Sequence, residues 1–135
     1  MSLFNVFDVV GSAMNAQSTR LNVTASNLAN AETVASSPES AYHAREPVFA
    51  TILDQKDGAV HGVRVLGITQ SQADISKRYE PGHPLADVDG FVYGSNVNPI
   101  EELVNMLSAS RSYQNGVEVL NTSKEMLVRT LSLGR

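Results

Sequence analysis

The chain has 135 residues, a formal net charge of −4 and no cysteine, and only 6% of its residues are aromatic. This length suits one domain with a modest core, and the acidic balance without a Lys/Arg cluster argues against binding to nucleic acid or to an anionic membrane. The lack of cysteine excludes disulfides, thiolate metal sites and cysteine nucleophiles, and the low aromatic content argues against a large ligand pocket, so we expect no cofactor.

A long helix is predicted from residue 4 to about residue 31. Between Val9 and Ala31 only Arg20 is charged, whereas a solvated helix face normally carries Lys and Glu pairs. We therefore predict that the uncharged polar face, including Asn27 and Asn30, packs against other helices; the alternative is an internal helix of a small bundle. Seven mostly apolar positions recur on this helix at spacings of three and four, the seam pattern of a coiled coil: Phe7, Val10, Met14, Gln17, Leu21, Thr24 and Leu28.

The region between residues 36 and 97 is predicted as a small β-rich module. Two strand-like runs, Val48–Leu53 and Val60–Thr69, flank the turn residues Asp54–Gly58 and predict a β-hairpin. Shorter runs, Ile75–Tyr79 and Phe91–Tyr93, predict further strands.

A second long helix is predicted from Asn98 to Leu133. Asn98 is a good N-cap, Pro99 suits the first helical position, and Glu101 lies where its carboxylate can reach back to the cap. The rod would be roughly 50 Å long and needs a partner of similar length, which the first helix supplies. Its seam again alternates spacings of three and four: Leu103, Met106, Ser110, Tyr113, Val117, Leu120, Lys124, Leu127 and Leu131.

Chemical sites are weakly supported by the sequence. His43, His61 and His83 lie on separate segments without metal-ligand spacing, so surface or turn histidines are favoured over a zinc site. Glu101 and Glu102 point about 100° apart on a helix, so they do not form a carboxylate pair. With no nucleophile elbow in the sequence, a structural or interaction protein is favoured over an enzyme, and a small hydrolase remains a third alternative.

An ordered set of short motifs covers both ends of the chain and parts of its middle. The stretch LNVTASNLAN at 21–30 opens the set, and the run SASRSYQ at 108–114 is its most specific member. Together the motifs resemble the bacterial flagellar axial proteins, the family of rod, hook and hook-associated subunits, and most of all those of the proximal rod. The other matching islands are Tyr42, Ala44, Pro47–Phe49, Pro84–Asp87, Gly90, Asn96–Asn98, Glu101, Glu102, Val117–Thr122, Lys124 and Thr130–Gly134.

This resemblance implies a structural subunit of the proximal rod, the drive shaft that transmits motor torque and surrounds an export channel. In that family the terminal helices of many copies form an inner tube and the β-rich middle faces outward. The implied partners are further copies, other rod subunits, the protein at the junction of the rod and the MS ring, and the type III export apparatus. Neither nucleic acid nor direct membrane insertion is expected.

The implied location is the periplasmic span of the basal body, reached by export without a cleaved signal peptide. The amino terminus agrees, because it lacks a basic segment followed by an apolar one, and no run of about 18 apolar residues occurs in the sequence. The alternative is a secreted coiled-coil adaptor of another type III-like assembly.

The expected fold class is therefore α+β, with a coiled-coil-like pair of terminal helices around a hairpin-rich module. The expected units are residues 1–35, 36–97 and 98–135. Asn98 and Glu101 are expected to cap the second helix, and no catalytic, metal or cofactor-binding residue is expected. The expected assembly interface comprises Val10, Met14, Leu21, Asn27, Leu28, Asn30, Leu103, Met106, Tyr113, Val117, Leu120, Leu127 and Leu131.

Two departures from the family pattern are visible. Asn115-Gly116 occupies a position where the family usually has Ala-Asn, and glycine inside a helix costs about 1 kcal/mol relative to alanine. This glycine would permit a bend or a close helix approach. Gly94-Ser95 replaces a segment that commonly carries proline, so a looser entry into the second helix is expected.

Overall fold

The computed structural model describes residues 3–53 and 60–134, with the side chains of residues 3 and 4 left aside. Two long helices flank small antiparallel sheets, which confirms the predicted α+β class. The predicted turn at Asp54–Gly58 lies outside the described residues. The elements are α1 (Leu3–Asn30), β1 (Val34–Ala35), a 3-10 turn (Pro38–Ser40), β2 (Arg45–Leu53), β3 (Val60–Gln70), β4 (Lys77–Tyr79), β5 (Phe91–Gly94) and α2 (Pro99–Leu133).

The two helices pair in opposite directions, so the prediction of paired terminal helices is confirmed. Arg20 of α1 donates a hydrogen bond to Asn105 Oδ1 of α2 at 2.9 Å. Earlier in α1, Met14 lies beside Gly116, which comes later in α2. The single charged residue of the polar face of α1 thus forms a hydrogen bond within the subunit.

The middle of the chain forms two sheets. The hairpin of β2 and β3 agrees with the prediction, and its register pairs Phe49 with Val65 and Thr51 with Val63. The predicted strand near residues 75–79 exists as β4, but it pairs with β5 in a separate sheet of order β1-β5-β4. The sequence did not predict β1, because a strand of two residues is too short to show a periodic pattern.

Helix α1 lies between α2 on one side and the β2–β3 hairpin on the other, and a glycine permits each contact. A Cβ at Gly116 would lie 2.7 Å from Met14 Cγ, so the predicted close helix approach is confirmed. A Cβ at Gly62 of β3 would overlap Ser12 Oγ. In the structure that hydroxyl accepts a hydrogen bond from Val63 N at 3.0 Å.

The buried apolar core is small and consists mainly of short side chains. Most of its members allow close approach of backbones rather than filling a large interior, so many larger apolar side chains are left at the surface. The core residues are Ala16, Val23, Ala41, Ala44, Val92 and Ala109.

The start of α2 matches the prediction only in part. Asn98 is the N-cap, and its Oδ1 accepts a hydrogen bond from Ile100 N at 3.1 Å. Glu101 is exposed, and among the described residues its carboxylate accepts no hydrogen bond from the backbone N–H of Asn98, so the predicted reciprocal box is not formed. At an exposed site water competes for that carboxylate, which still gains from the positive end of the helix dipole.

Candidate assembly surface

One face of α2 packs against α1 along what we call the inner seam. Three positions on it seven residues apart are small, namely Ala109, Gly116 and Ser123, and Ala109 and Ser123 are buried. Small residues at this spacing let two helix backbones approach closely. The alternation of spacings of four and three defines the inner seam as Glu102, Met106, Ala109, Tyr113, Gly116, Leu120, Ser123 and Leu127.

The predicted seam of α2 divides between this face and an exposed one. Met106, Tyr113, Leu120 and Leu127 belong to the inner seam. The other predicted positions lie one residue further along the helix, about 100° away, and most are exposed: Leu103, Ser110, Val117, Lys124 and Leu131. As positions of the seam between α1 and α2 those five are wrong, because α2 carries two neighbouring stripes and a single alternating pattern combined half of each. The assignment of Leu103, Val117 and Leu131 to the assembly interface stays a prediction.

The second face of α2 repeats the same spacing, but most of its residues are exposed in the part of the chain that the structure describes, and we call it the outer stripe. Its apolar residues concentrate at the two ends of the helix, where Leu107 is 62% and Leu131 is 66% exposed. Its middle is polar apart from Val117. The outer stripe comprises Ile100, Leu103, Leu107, Ser110, Gln114, Val117, Asn121, Lys124, Val128 and Leu131.

The predicted apolar residues of α1 contribute to contacts inside the subunit. Val10 and Met14 approach Gly116, and Leu21 and Leu28 are half-buried. These residues are therefore already partly covered in a single subunit, which distinguishes them from the outer stripe of α2.

Asn27 holds the segment before β2 against α1 and is 1% exposed. Its Nδ2 donates to Arg45 O at 2.9 Å, and its Oδ1 accepts from Arg45 N at 2.8 Å and from Tyr42 OH at 3.0 Å. The predicted contact of Asn27 with other subunits needs correcting, because its amide groups are satisfied inside the subunit. Asn30, by contrast, is only half-buried, and its Nδ2 donates to Ser26 O at 2.8 Å.

The segment before α2 supplies further ties between the helices and the β-strands. Ser95 Oγ donates to Ala31 O at 2.6 Å, at the end of α1. Asn96 Oδ1 accepts from Ala44 N at 2.6 Å, while its Nδ2 donates to Ala73 O at 2.8 Å. The entry into α2 is thus well anchored, contrary to the looser entry expected from Gly94-Ser95. Sequence reasoning noticed Asn96 only as part of a motif and missed this role.

Asp87 organises the turn before β5. Its Oδ1 accepts hydrogen bonds from Phe91 N at 2.8 Å and Asp89 N at 3.0 Å, and its Oδ2 accepts from Tyr93 OH at 2.9 Å. The hydrogen bond from Phe91 N–H, with smaller help from Tyr93 and Asp89, lowers the pKa of this carboxyl. The presence of Asp87 in the motif at residues 84–90 is therefore explained by the hydrogen bonds that hold this turn.

Two family models match the ends of the chain. "Flagella basal body rod protein" covers residues 7–34, and "Flagellar basal body rod FlgEFG protein C-terminal" covers residues 88–133. These ranges correspond closely to α1 and to β5 with α2.

Curated relatives match over the full length. The chain is 51% identical over 136 residues to the flagellar basal-body rod protein FlgC of Salmonella typhimurium and 50% identical over 135 residues to that of Escherichia coli O6:H1, with 100% of each chain covered. A FlgC of Buchnera aphidicola subsp. Baizongia pistaciae is 39% identical over 139 residues, again with full coverage. The chain belongs to the FlgC family. It is a structural rod subunit of the flagellar basal body.

No helix in the described ranges is long and apolar enough to cross a membrane. Residues 3–53 and 60–134 likewise contain no group of three or more His, Asp or Glu side chains that could hold a metal ion. Two histidines take part in local structure: His43 Nδ1 lies 3.2 Å from Ser71 O, and His83 Nδ1 accepts from Leu85 N at 3.1 Å.

The inner seam contains a polar group that is poorly satisfied. Glu102 Oε2 and Gln17 Oε1 are both buried without a hydrogen-bond partner. Burial raises the pKa of Glu102, with smaller contributions from Glu46 and Glu101, while Asn27 and Arg20 act in the opposite direction. An ionised carboxylate at this position therefore opposes folding of the isolated FlgC-family subunit.

We expect Glu102→Gln to stabilise the subunit at neutral pH. Folding raises the pKa of Glu102. The free energy of unfolding of the unmodified subunit therefore benefits from a neutral carboxyl below the ordinary value of 4.5, and this benefit is lost as the pH rises through the folded pKa. The melting temperature of the variant should exceed that of the unmodified chain at pH 7, and the two should converge near pH 4.

Glu101→Gln is the matched control, since Glu101 lies in the same helical turn but is exposed. It should be close to neutral at pH 7, because it removes a favourable interaction with the helix dipole together with a small repulsion of the Glu102 carboxylate. An equal stabilisation by Glu102→Gln at both pH values would contradict the assignment of the effect to ionisation.

Proposed function

We propose that the protein is a non-enzymatic subunit of the proximal rod, and that its terminal helices assemble with those of neighbouring subunits around the export channel. The observation that carries this proposal is the outer stripe of α2, an exposed helix seam of more than eight turns beside an already paired helix. In this proposal residues 1–35 and 98–135 form the inner-tube domain, and residues 36–97 form the outward module.

Torque transmission requires that the helices and the outward module turn as one body. Asn27 and Asn96 support this role, because each amide bonds backbone groups of a different segment and so joins helix, strand and loop. A drive shaft built from such subunits would twist little at the junction of its two layers.

The proposed partners are further copies of the chain, other rod subunits, the protein at the junction of the rod and the MS ring, and the type III export apparatus during secretion. The polar middle and apolar ends of the outer stripe suit neighbours that are themselves long helices with alternating seams. The full-length rod relatives favour this function over an adaptor of another type III-like assembly.

Leu107→Asp is expected to prevent incorporation into the rod while leaving the subunit folded and exported. Leu107 is exposed, so a carboxylate there is solvated in the free chain, whereas in a dry helix interface it would cost several kcal/mol. The measurement is swimming and basal-body content of a flagellated strain in which this chain replaces the resident FlgC.

Ser108→Asp is the control, because Ser108 is exposed and points about 100° away from Leu107. Secretion of each variant is followed in parallel, so that a defect in export is separated from one in assembly. Normal swimming with Leu107→Asp would show that this part of the outer stripe faces solvent in the rod.

A further inference from the structure

A small cleft lies between the two sheets, beside the edge strand β1, and we call it the β1 cleft. Its volume is about 330 Å³, at the lower end of the range for ligand pockets, so it suits a few side chains of a docked segment. The two residues of β1, Val34 and Ala35, give it an apolar wall. Arg45 at the start of β2 and Gln70 at the end of β3 line the side that faces this wall.

The β1 cleft holds a cation that the structure keeps in place. The backbone of Arg45 is bound by Asn27, and its guanidinium lies 5.7 Å from the centre of the Tyr42 ring, which Asn27 also holds through the hydroxyl. Within the described residues Arg45 forms no ion pair. No Asp or Glu lines the cleft, although the chain has 14 acidic residues. A positioned guanidinium without a counter-charge is suited to an incoming carboxylate.

The turn before β5 presents an apolar side chain next to a carboxylate. Gly90 N donates to Asp87 O at 3.0 Å and closes a β-turn whose two central residues are Val88 and Asp89. Val88 is fully exposed and Asp89 is exposed. In the described parts of the chain the Asp89 carboxylate has no hydrogen bond or ion pair.

This turn is also held firmly. The carboxylate of Asp87 accepts hydrogen bonds from Phe91 N, Asp89 N and Tyr93 OH, and Gly90 has a φ of +82°, where a glycine is favoured. A segment that is already fixed in one conformation loses little entropy when it docks. The turn therefore offers Val88 and Asp89 as a preformed pair of contacts.

We propose that the turn of one copy docks in the β1 cleft of a second copy, with Val88 against the apolar wall and the Asp89 carboxylate on the Arg45 guanidinium. This inference rests on the proposed rod function and names a contact between the β-rich modules of neighbouring subunits. The turn does not line the cleft of its own subunit, so the contact joins two different surfaces. Such a heterologous contact continues from copy to copy.

The contact is small, because one turn enters one cleft. It buries less than the approximately 1,200 Å² typical of a stable complex, so it does not hold two free subunits together. Its contribution is to fix the orientation of the modules once the helices have assembled, since an arginine and a carboxylate can form two parallel hydrogen bonds.

Disulfide crosslinking tests the contact directly, because the chain contains no cysteine of its own. The full chain with Val88→Cys and Gln70→Cys is expressed in a flagellated strain whose own FlgC is deleted, and isolated basal bodies are oxidised. The control carries Val88→Cys with Asp74→Cys, since Asp74 is exposed but does not line the cleft. We expect dimers and higher species roughly ten times stronger than in the control, because a disulfide requires Cα atoms within about 7 Å.

A second pair, Val88→Cys with Ser40→Cys, is scored in the same way, because Ser40 is an exposed residue that also lines the cleft. A folding defect of one pair then does not decide the result. If the cysteine chains enter basal bodies and neither pair crosslinks above the control, another protein or solvent occupies the cleft and the inference is overturned.

Charge variants test the pairing of Asp89 with Arg45. Asp89→Arg should lower the crosslinked fraction of the Val88 and Gln70 pair roughly fivefold, because it places two cations together, whereas Asp74→Arg should leave it unchanged. In an Arg45→Gln background the loss caused by Asp89→Arg should largely disappear, since the two substitutions act on one contact. An equal loss in that background overturns the inference. If the chain without cysteines is itself absent from basal bodies, it is the proposed function that fails.

Discussion

Asn27→Ala is expected to lower the free energy of unfolding of the subunit by about 2–5 kcal/mol, because three hydrogen bonds are lost at a buried site and each buried group left unpaired costs about 1–3 kcal/mol. The segment around Tyr42 and Arg45 would separate from α1. Chemical denaturation of the purified full chain measures the change.

Asn22→Ala is the matched control for this prediction, since Asn22 lies on the same helix and is exposed. It should be neutral or slightly stabilising, because alanine is the better helix former. Asn27→Asp sharpens the comparison: its carboxylate keeps the acceptors for Arg45 N and Tyr42 OH but cannot donate to Arg45 O. An Asn27→Ala variant as stable as the Asn22→Ala variant would contradict the role assigned to this amide.

Gly116→Leu is expected to destabilise the pairing of α1 and α2 by about 1–3 kcal/mol or more, the usual cost of overfilling a packed site. Even the first carbon of the new side chain would lie 2.7 Å from Met14 Cγ and 3.2 Å from Met14 Sδ. The helices would have to move apart, and the small residues Ala109 and Ser123 would lose their close contacts. Thermal unfolding followed by circular dichroism measures the effect.

Two variants separate packing from helix propensity. Asn115→Leu adds the same side chain at the neighbouring exposed position and should have little effect. Gly116→Ala should be close to neutral, since the gain of about 1 kcal/mol in helix propensity offsets the movement required of the flexible Met14 side chain. If Gly116→Leu is as stable as Asn115→Leu, the helices do not approach closely at this point.

The long elements were predictable from the sequence because their signals are repeated many times. The pattern from Phe7 to Leu28 recurs over seven positions, and the cap at Asn98 with Pro99 gave the start of α2 correctly to the residue. The hairpin was also predictable, because β2 and β3 are long enough to show strand periodicity. The two-residue strand β1 carried no comparable signal.

The division of α2 into an inner seam and an outer stripe was not predictable from periodicity alone. Two adjacent stripes, each with spacings of three and four, lie side by side on a helix with 3.6 residues per turn. Leu103 and Met106 are three residues apart and were therefore predicted in one seam, although they belong to two faces. Ala109 and Ser123 were not part of the predicted seam, yet they are the buried residues of α2.

The hydrogen bonds of Asn27 within the subunit were not predicted, for a different reason. An asparagine in a helix that lacks charged residues indicates a packed environment, but the sequence does not say whether the partner belongs to the same chain. The partners of Asn27 lie 15 and 18 residues away, across a loop whose path periodicity does not describe. The interface predicted around Asn27 therefore had the correct kind of environment and the wrong neighbour.

A density map of basal bodies in which this chain forms part of the rod tests the central claim most directly, namely that the inner seam joins helices within a subunit and the outer stripe joins subunits. In that map we expect α1 and α2 to keep the contact at Gly116, and helices of neighbouring subunits to cover Leu103, Leu107, Val128 and Leu131. A map in which the outer stripe faces an open channel or solvent would contradict it.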